Sequence, residues 1–313
     1  MKKIVKYFIA PLVIIICAIV GTYYYSPGTV IKLLTGYAKW KGGIDTHSIQ
    51  VDKHKWPYLE AGSKNNETIV FLHGFGSRKE FWIAMMDHFG KAYHVVAPDL
   101  PGFAENKIVD GVEYTILDQV KRLDKFLSDN DVSKFHLIGS SMGGYISLYY
   151  AIMHQEKLLS LALMNSAGVI SPKQSYYEKY LIETNENLLI PEDVDGFKKF
   201  IDLVYYVPPK MSDNFAAYFA EVRKKRLKEE KLLFQGMLKS LEVPIEPMLS
   251  AIKTKTLIMW GDKDRILDVS SVQIFEKRIK NHQTVIFKDI GHIPIMEAPE
   301  KTNKAYKKFL DSL

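Results

Sequence analysis

A chain of 313 residues, 47% hydrophobic and 25% charged, is long enough for one large domain with a sizeable core and room for an insertion. Its single cysteine, Cys17, excludes an intramolecular disulfide and a thiolate metal cluster; the nine histidines show no HExxH or other metal-ligand spacing, so neither a metal nor another cofactor is expected. The net charge of +6 does not mark a nucleic-acid binder, because residues 1–60 hold eight lysines against Asp45, Asp52 and Glu60 and leave the remaining chain close to neutral.

The first element lies in "MKKIVKYFIAPLVIIICAIVGTYYYSPG", where Tyr7 to Tyr25 contains no charged residue. That run just spans a bilayer core of about 30 Å, with Tyr23, Tyr24 and Tyr25 as an interfacial aromatic belt. A cleaved signal peptide is the competing reading. No small-x-small site follows the run, and Ile16 before Cys17 argues against lipoprotein processing. Residues 1–25 therefore read as an N-terminal membrane anchor and 26–45 as a juxtamembrane segment. Lys2, Lys3 and Lys6 favour a cytoplasmic N-terminus, with the rest of the chain on the non-cytoplasmic side, although Lys32, Lys39 and Lys41 follow at the other end. Val30, Leu33, Leu34, Tyr37 and Trp40 recur at helical spacing, as in an interfacial amphipathic helix or a packing helix of the domain.

From Thr46 onward strand-like and helix-like blocks alternate. "ETIVFLHG", "AYHVVAPDLPG", "KFHLIGSS", "LLSLALMNSAG", "TKTLIMWGD" and "QTVIFKDIGH" are short apolar runs ended by glycine, proline or aspartate, as suits strands buried on both faces of a parallel sheet. "HSIQVDKHKWPYLEAG" offers one or two leading antiparallel strands. Between the runs lie amphipathic helices, such as "YTILDQVKRLDKFLSDN" with Ile116, Val120, Leu123 and Leu127 on one face, and "APEKTNKAYKKFLDSL" with Pro299 in its first turn. The pattern predicts a doubly wound α/β domain over 46–168 and 250–313. The intervening stretch, 169–249, reads mainly as helix and suits a lid over the carboxyl ends of the strands. Its charge run "EVRKKRLKEEK" reads as a solvated helix face.

"GSSMG" fits G-x-S-x-G with Ser141 central, and it stands between the apolar "KFHLI" and the helical "MGGYISLYYAIMH". Strand, tight turn and helix are the setting of a nucleophile elbow. Gly139 and Gly143 would leave room where the turn crowds its flanks. A serine hydroxyl needs a base, and the order after such an elbow is Ser, then an acid, then His. His292 lies between the last strand and the last helix; the other histidines precede the acid candidates, except His282 at a helix end. "LIMWGDKDRILDVSS" offers Asp262, Asp264 and Asp268, of which Asp268 looks like a helix N-cap. "HGFGS" after "TIVFL" would supply the Phe75 backbone N–H to an oxyanion hole completed by that of Met142, with His73 holding the loop in place.

These stretches resemble the α/β-hydrolase family, and within it the membrane-anchored monoacylglycerol lipases and related bacterial lipases. "FLHGFGS", "APDLPGF", "QVKRLDKF", "HLIGSSMGG", "IMWGDKDRILDVSSV" and "GHIPIMEAPEKT" carry the resemblance, from about Thr68 to the C-terminus apart from the lid. It implies that the acid is Asp264, three residues after the glycine of "WGxxD". It also implies an α/β-hydrolase fold and serine hydrolysis of lipid acyl esters, such as monoacylglycerols, at a membrane surface. The common family pattern PDLPGFGxS reads PDLPGFAEN here. The alternatives are another serine hydrolase of this fold, either a short-chain carboxylesterase or a carbon–carbon bond hydrolase acting on vinylogous diketo acids, and a non-catalytic receptor.

Overall fold

A computed structural model describes residues 26–313. The expected anchor at 1–25 lies outside the described residues. Among the described residues, no helix is long and apolar enough to cross a membrane. The described chain opens with α1 (Pro27–Gly42), started by proline in its first turn and stopped by Gly43 in the left-handed region.

Eight strands form one sheet in the order β1-β2-β4-β3-β5-β6-β7-β8: β1 (Asp45–Val51), β2 (His54–Ala61), β3 (Thr68–Leu72), β4 (His94–Pro98), β5 (Phe135–Ser140), β6 (Leu158–Met164), β7 (Thr256–Gly261) and β8 (His282–Phe287). β1 and β2 pair antiparallel, as does β2 with β4; all other neighbours are parallel. The leading segment thus supplies two strands, and six parallel ones follow.

Continuous apolar runs form these central strands because both faces are covered. Val70, Leu72, Leu137, Leu163 and Trp260 enter one core, while Ile69, Phe71, Ile138, Met164 and Met259 enter the other. Alternation along a pleated strand sends neighbours to opposite faces, so each face needs its own helices. One face receives α3 (Ile116–Asp129) and α4 (Met142–Met153); the other receives α2 (Ile83–Phe89) and α11 (Pro299–Leu310). α3 starts at a capping box. The Thr115 hydroxyl accepts the Asp118 N–H at 3.2 Å, the Asp118 carboxylate accepts the Thr115 N–H at 3.3 Å, and Ile116, Val120, Leu123 and Leu127 are buried as the spacing predicts.

Between β6 and β7 the chain leaves the sheet for α5 (Tyr176–Thr184), α6 (Val194–Val204), α7 (Asp213–Lys224) and α8 (Leu227–Leu241). These helices pack small cores, one joining Tyr177 and Leu203 to Ile266 of the loop after β7, another with Phe197, Ala216 and Ala220. After β7 come α9 (Ser271–Arg278) and, past β8, the short α10 (Pro294–Glu297).

Three local readings are corrected. The charge run is only partly solvated: Lys224, Lys225 and Lys228 are exposed, but Arg223 and Arg226 turn inward and Glu230 is 3% exposed. The run crosses the break between α7, which ends at Lys224, and α8, which starts at Leu227, and it has a wet side and a dry one. The N-cap of α9 is Ser270, and Asp268 instead accepts the Ser270 N–H at 2.9 Å one step earlier. His282 opens β8, where its ring Nδ1 donates to the Ile279 carbonyl.

Candidate active site

Ser141 stands at the turn between β5 and α4 with φ 54° and ψ −117°, a strained conformation for a residue bearing a Cβ. Its backbone is held on both sides by the neighbouring strand's end, its N–H donating to Met164 O at 3.0 Å and its carbonyl accepting from Ala167 N–H at 3.1 Å. Space for the turn comes from glycine. A Cβ on Gly139 would fall 2.2 Å from Gly143 O, and one on Gly143 would fall 2.3 Å from Leu72 O. Both obstacles are backbone and cannot rotate away. Ser140, the last residue of β5, is buried in the sheet.

The loop after β3 lies against the elbow, since a Cβ on Gly74 would meet the Ser141 Cβ at 3.1 Å. Gly74 to Ser77 forms a turn closed by Ser77 N–H to Gly74 O at 3.3 Å, with Phe75 and Gly76 in the middle. His73 anchors it. The ring Nε2 accepts the Leu100 N–H at 3.0 Å, so Nδ1 carries the proton and donates to Gly74 O at 2.8 Å. Burial pushes this imidazole down to about 4, which keeps it neutral and fixed in that role. The buried Lys79 ammonium reinforces the loop pair by donating to Asp99 at 2.9 Å and Glu105 at 3.1 Å. Met142 is the first residue of α4, where a backbone N–H has no partner within the helix.

Asp264 follows β7 and His292 follows β8, and the two meet with Nδ1 2.8 Å from Oδ2. A carboxylate only accepts, so His292 Nδ1 holds the proton and Nε2 keeps its lone pair. The other Asp264 oxygen accepts the N–H groups of Ile266 at 2.8 Å and Leu267 at 3.1 Å. Oδ2 takes a further donor that sequence reading missed: Asn165 Nδ2 at 2.7 Å. Asn165 immediately follows β6, is fully buried, has φ 45° and also reaches Gly291 O at 3.4 Å. Ser141 is therefore linked to the acid–histidine pair through Met164 and Asn165, at the carboxyl ends of adjacent strands. His292 N–H is in turn held by Val204 O, at the end of α6, at 2.9 Å. Of the other two aspartates, Asp262 accepts the Asp289 N–H at 2.7 Å and braces the histidine loop from outside, while Asp268 serves the start of α9.

A family model described as the alpha/beta hydrolase fold matches residues 67–299. Lipase 1 of Psychrobacter immobilis is 33% identical over 279 residues, covering 87% of this chain and 86% of its own. The monoacylglycerol lipase abhd6-A of Xenopus laevis is 28% identical over 312 residues, covering 96% and 93%. Among solved structures, a membrane phospholipase A described as a bacterial virulence factor superposes with a TM-score of 0.87 at 35% identity, covering 98% of each chain.

Proposed function

The chain belongs to the α/β-hydrolase fold family, and from that premise we propose that it is a serine hydrolase of lipid acyl esters, monoacylglycerols or similar glycerides, working through an acyl-enzyme. Ser141 Oγ attacks the ester carbonyl while His292 Nε2 takes its proton. Asp264 keeps His292 in the tautomer with Nε2 free and stabilises the imidazolium that forms. The carbonyl oxygen, now negative, is received by the N–H groups of Phe75 and Met142. His292 passes its proton to the departing alcohol, and the acyl group remains on Ser141. Water then attacks the acyl-enzyme by the same steps in reverse roles, releasing a fatty acid. The observation that carries this reading is the Asp264–His292 pair, joined through Asn165 and Met164 to a serine in an elbow conformation.

Lipid as substrate is supported by the relatives and by α1. That helix has no buried residue, and Leu33, Leu34, Tyr37 and Trp40 form a face 61–76% exposed, with Lys32, Lys39 and Lys41 among them. An apolar stripe edged with lysines suits the plane of a membrane interface. In this reading residues 1–25 form a single-pass anchor, α1 lies along the bilayer, and the catalytic domain sits on the non-cytoplasmic side. Residues 169–249 are the lid over the site.

The test is fatty-acid release from a panel of mono-, di- and triacylglycerols, a phospholipid, short-chain aryl esters and a vinylogous diketo acid. Preference for long-chain glycerides supports the proposal. Cleavage of the diketo acid with no ester turnover would replace it by the carbon–carbon bond hydrolase reading.

A further inference from the structure

The lid reaches the turn bearing the Phe75 N–H by three routes. Arg223, in the last turn of α7, donates from Nη1 to Gly76 O at 3.2 Å and from Nη2 to Leu189 O at 2.6 Å. The same guanidinium lies over the Phe200 ring, 5.0 Å from its centroid, and pairs with the buried Glu230 carboxylate at 2.9 Å. Contact with the turn is close: a Cβ on Gly76, whose φ is +66°, would fall 2.5 Å from Arg223 Nη1. Arg226 takes the second route, donating to the carbonyls of Gly102 and Ala104. Phe103 between them packs edge-on against both His73 and Phe75, at 5.5 and 5.7 Å. The third route is Phe234 of α8, edge-on to Phe75 at 5.6 Å.

The turn is thus fixed at two points. Gly74 O is held from the core by His73, and Gly76 O is held from the lid by Arg223. The Phe75 N–H lies between them. An oxyanion donor is effective only within a narrow distance of the developing charge, so what holds the turn sets the strength of the hole. Arginine suits the task because its planar fork presents donors on separate nitrogens in fixed directions, whereas the donors of an ammonium all radiate from one atom. The departure "PDLPGFAEN" falls at this contact, since Ala104, with φ 47°, presents its carbonyl to Arg226.

Resting on the reading of the Phe75 N–H as an oxyanion donor, we propose that Arg223 is a positioning residue which sets the oxyanion turn from the lid, with Arg226 bracing the loop behind it, so that the hole has its working geometry only while the lid is seated. Lid closure and assembly of the hole are then one event. Arg223 does not touch substrate; it acts through Gly76.

The test separates this role from a purely structural one by measuring kcat, KM and Tm on a soluble short-chain aryl ester. Arg223→Lys keeps the charge opposite Glu230 but loses the fork. Its kcat should fall on the order of 10²-fold, as for a displaced catalytic group, with KM within about twofold of wild type and Tm close to it. Should that variant fold poorly, Arg223→Met combined with Glu230→Gln removes both buried charges together and should show the same loss in kcat. Lys224→Gln and Lys228→Gln, which change exposed charges in the same run, should match wild type. Folded Arg223 variants with wild-type kcat, or with a raised KM alone, would overturn the proposal. A fluorophosphonate probe run in parallel keeps the premise separate: wild type that does not react at Ser141 defeats the hydrolase reading and this inference with it, whereas wild type that reacts beside unimpaired Arg223 variants defeats the inference alone.

Discussion

Replacing Asp264 by asparagine changes one oxygen to an amide nitrogen and leaves the shape intact. The carboxylate receives four donors: Ile266 N–H and Leu267 N–H on Oδ1, Asn165 Nδ2 and His292 Nδ1 on Oδ2. Whichever way the introduced amide turns, its NH₂ faces two donors. The less damaging orientation keeps the two backbone N–H bonds and points NH₂ at Asn165 and His292. Imidazole can respond by moving its proton to Nε2, so that Nδ1 accepts. The base is then protonated on the side that should take the Ser141 proton. Loss of turnover should be on the order of 10³–10⁴, about 4–5 kcal/mol of transition-state stabilisation. Folding should suffer less, by about 1–3 kcal/mol, because Asn165 Nδ2 loses its 2.7 Å acceptor and keeps only the Gly291 carbonyl at 3.4 Å. These two costs can be separated. Adding Asn165→Asp gives the introduced amide an acceptor, so the double variant should recover stability in urea titrations while turnover of a short-chain aryl ester stays low. An Asp264→Asn protein within about tenfold of wild-type kcat, or a double variant that regains activity, would refute this account of the pair.

Ser141→Ala should abolish ester hydrolysis by several orders of magnitude, whereas Ser140→Ala should keep a substantial fraction, both read as kcat/KM on one aryl ester. Asp262→Asn should reduce kcat far less than Asp264→Asn, since the Asp262 carboxylate accepts the Asp289 N–H of the histidine loop and pairs with Lys263 rather than with the His292 ring. Burial pushes the Glu230 carboxyl from 4.5 up to about 7, with Arg223 and Arg226 opposing. A raised acid binds its proton in the folded state first, so its contribution is full below pH 4.5 and is lost as pH rises through 7. Glu230→Gln should therefore gain stability relative to wild type across that window, by about 1.4 kcal/mol per pH unit in urea titrations; a constant difference would contradict the buried, raised carboxyl. A chain beginning at Gly43 loses α1, which buries no residue, and should hydrolyse a soluble ester at close to the full-length rate. It should lose most of its activity on long-chain monoacylglycerol in vesicles; equal activity there would leave α1 no part in substrate access.

Much of this is legible in the sequence. The six parallel strands show because their runs are mostly apolar and are closed by glycine, proline or aspartate, and Ser141 shows because G-x-S-x-G sits between such a run and a helix. The acid is another matter. Asp262, Asp264 and Asp268 are equivalent by composition, and only the family register singled out Asp264; in the structure the backbone turn at Ile266 and Leu267 distinguishes it. Asn165 was invisible because "LMNSAG" carries no motif, and its role arises where the end of β6 meets loops about a hundred residues further on. Arg223 and Arg226 read as solvated because lysines surround them. A signal is present: the chain uses six arginines among its 42 basic residues, and two of them stand three apart with Glu230 four residues further on. Where lysine is the ordinary surface cation, an arginine pair marks a directional contact.

The central claim, that Ser141 attacks lipid esters through an acyl-enzyme, is tested most directly by trapping. Full-length protein is incubated with a long-chain monoacylglycerol, quenched in acid within its first turnovers, and digested for mass spectrometry. An acyl adduct is expected on the peptide holding Ser141, heavier by the fatty acid less the elements of water, and absent from Ser141→Ala. Fatty-acid release with no adduct at Ser141, or an adduct on another side chain, would contradict it.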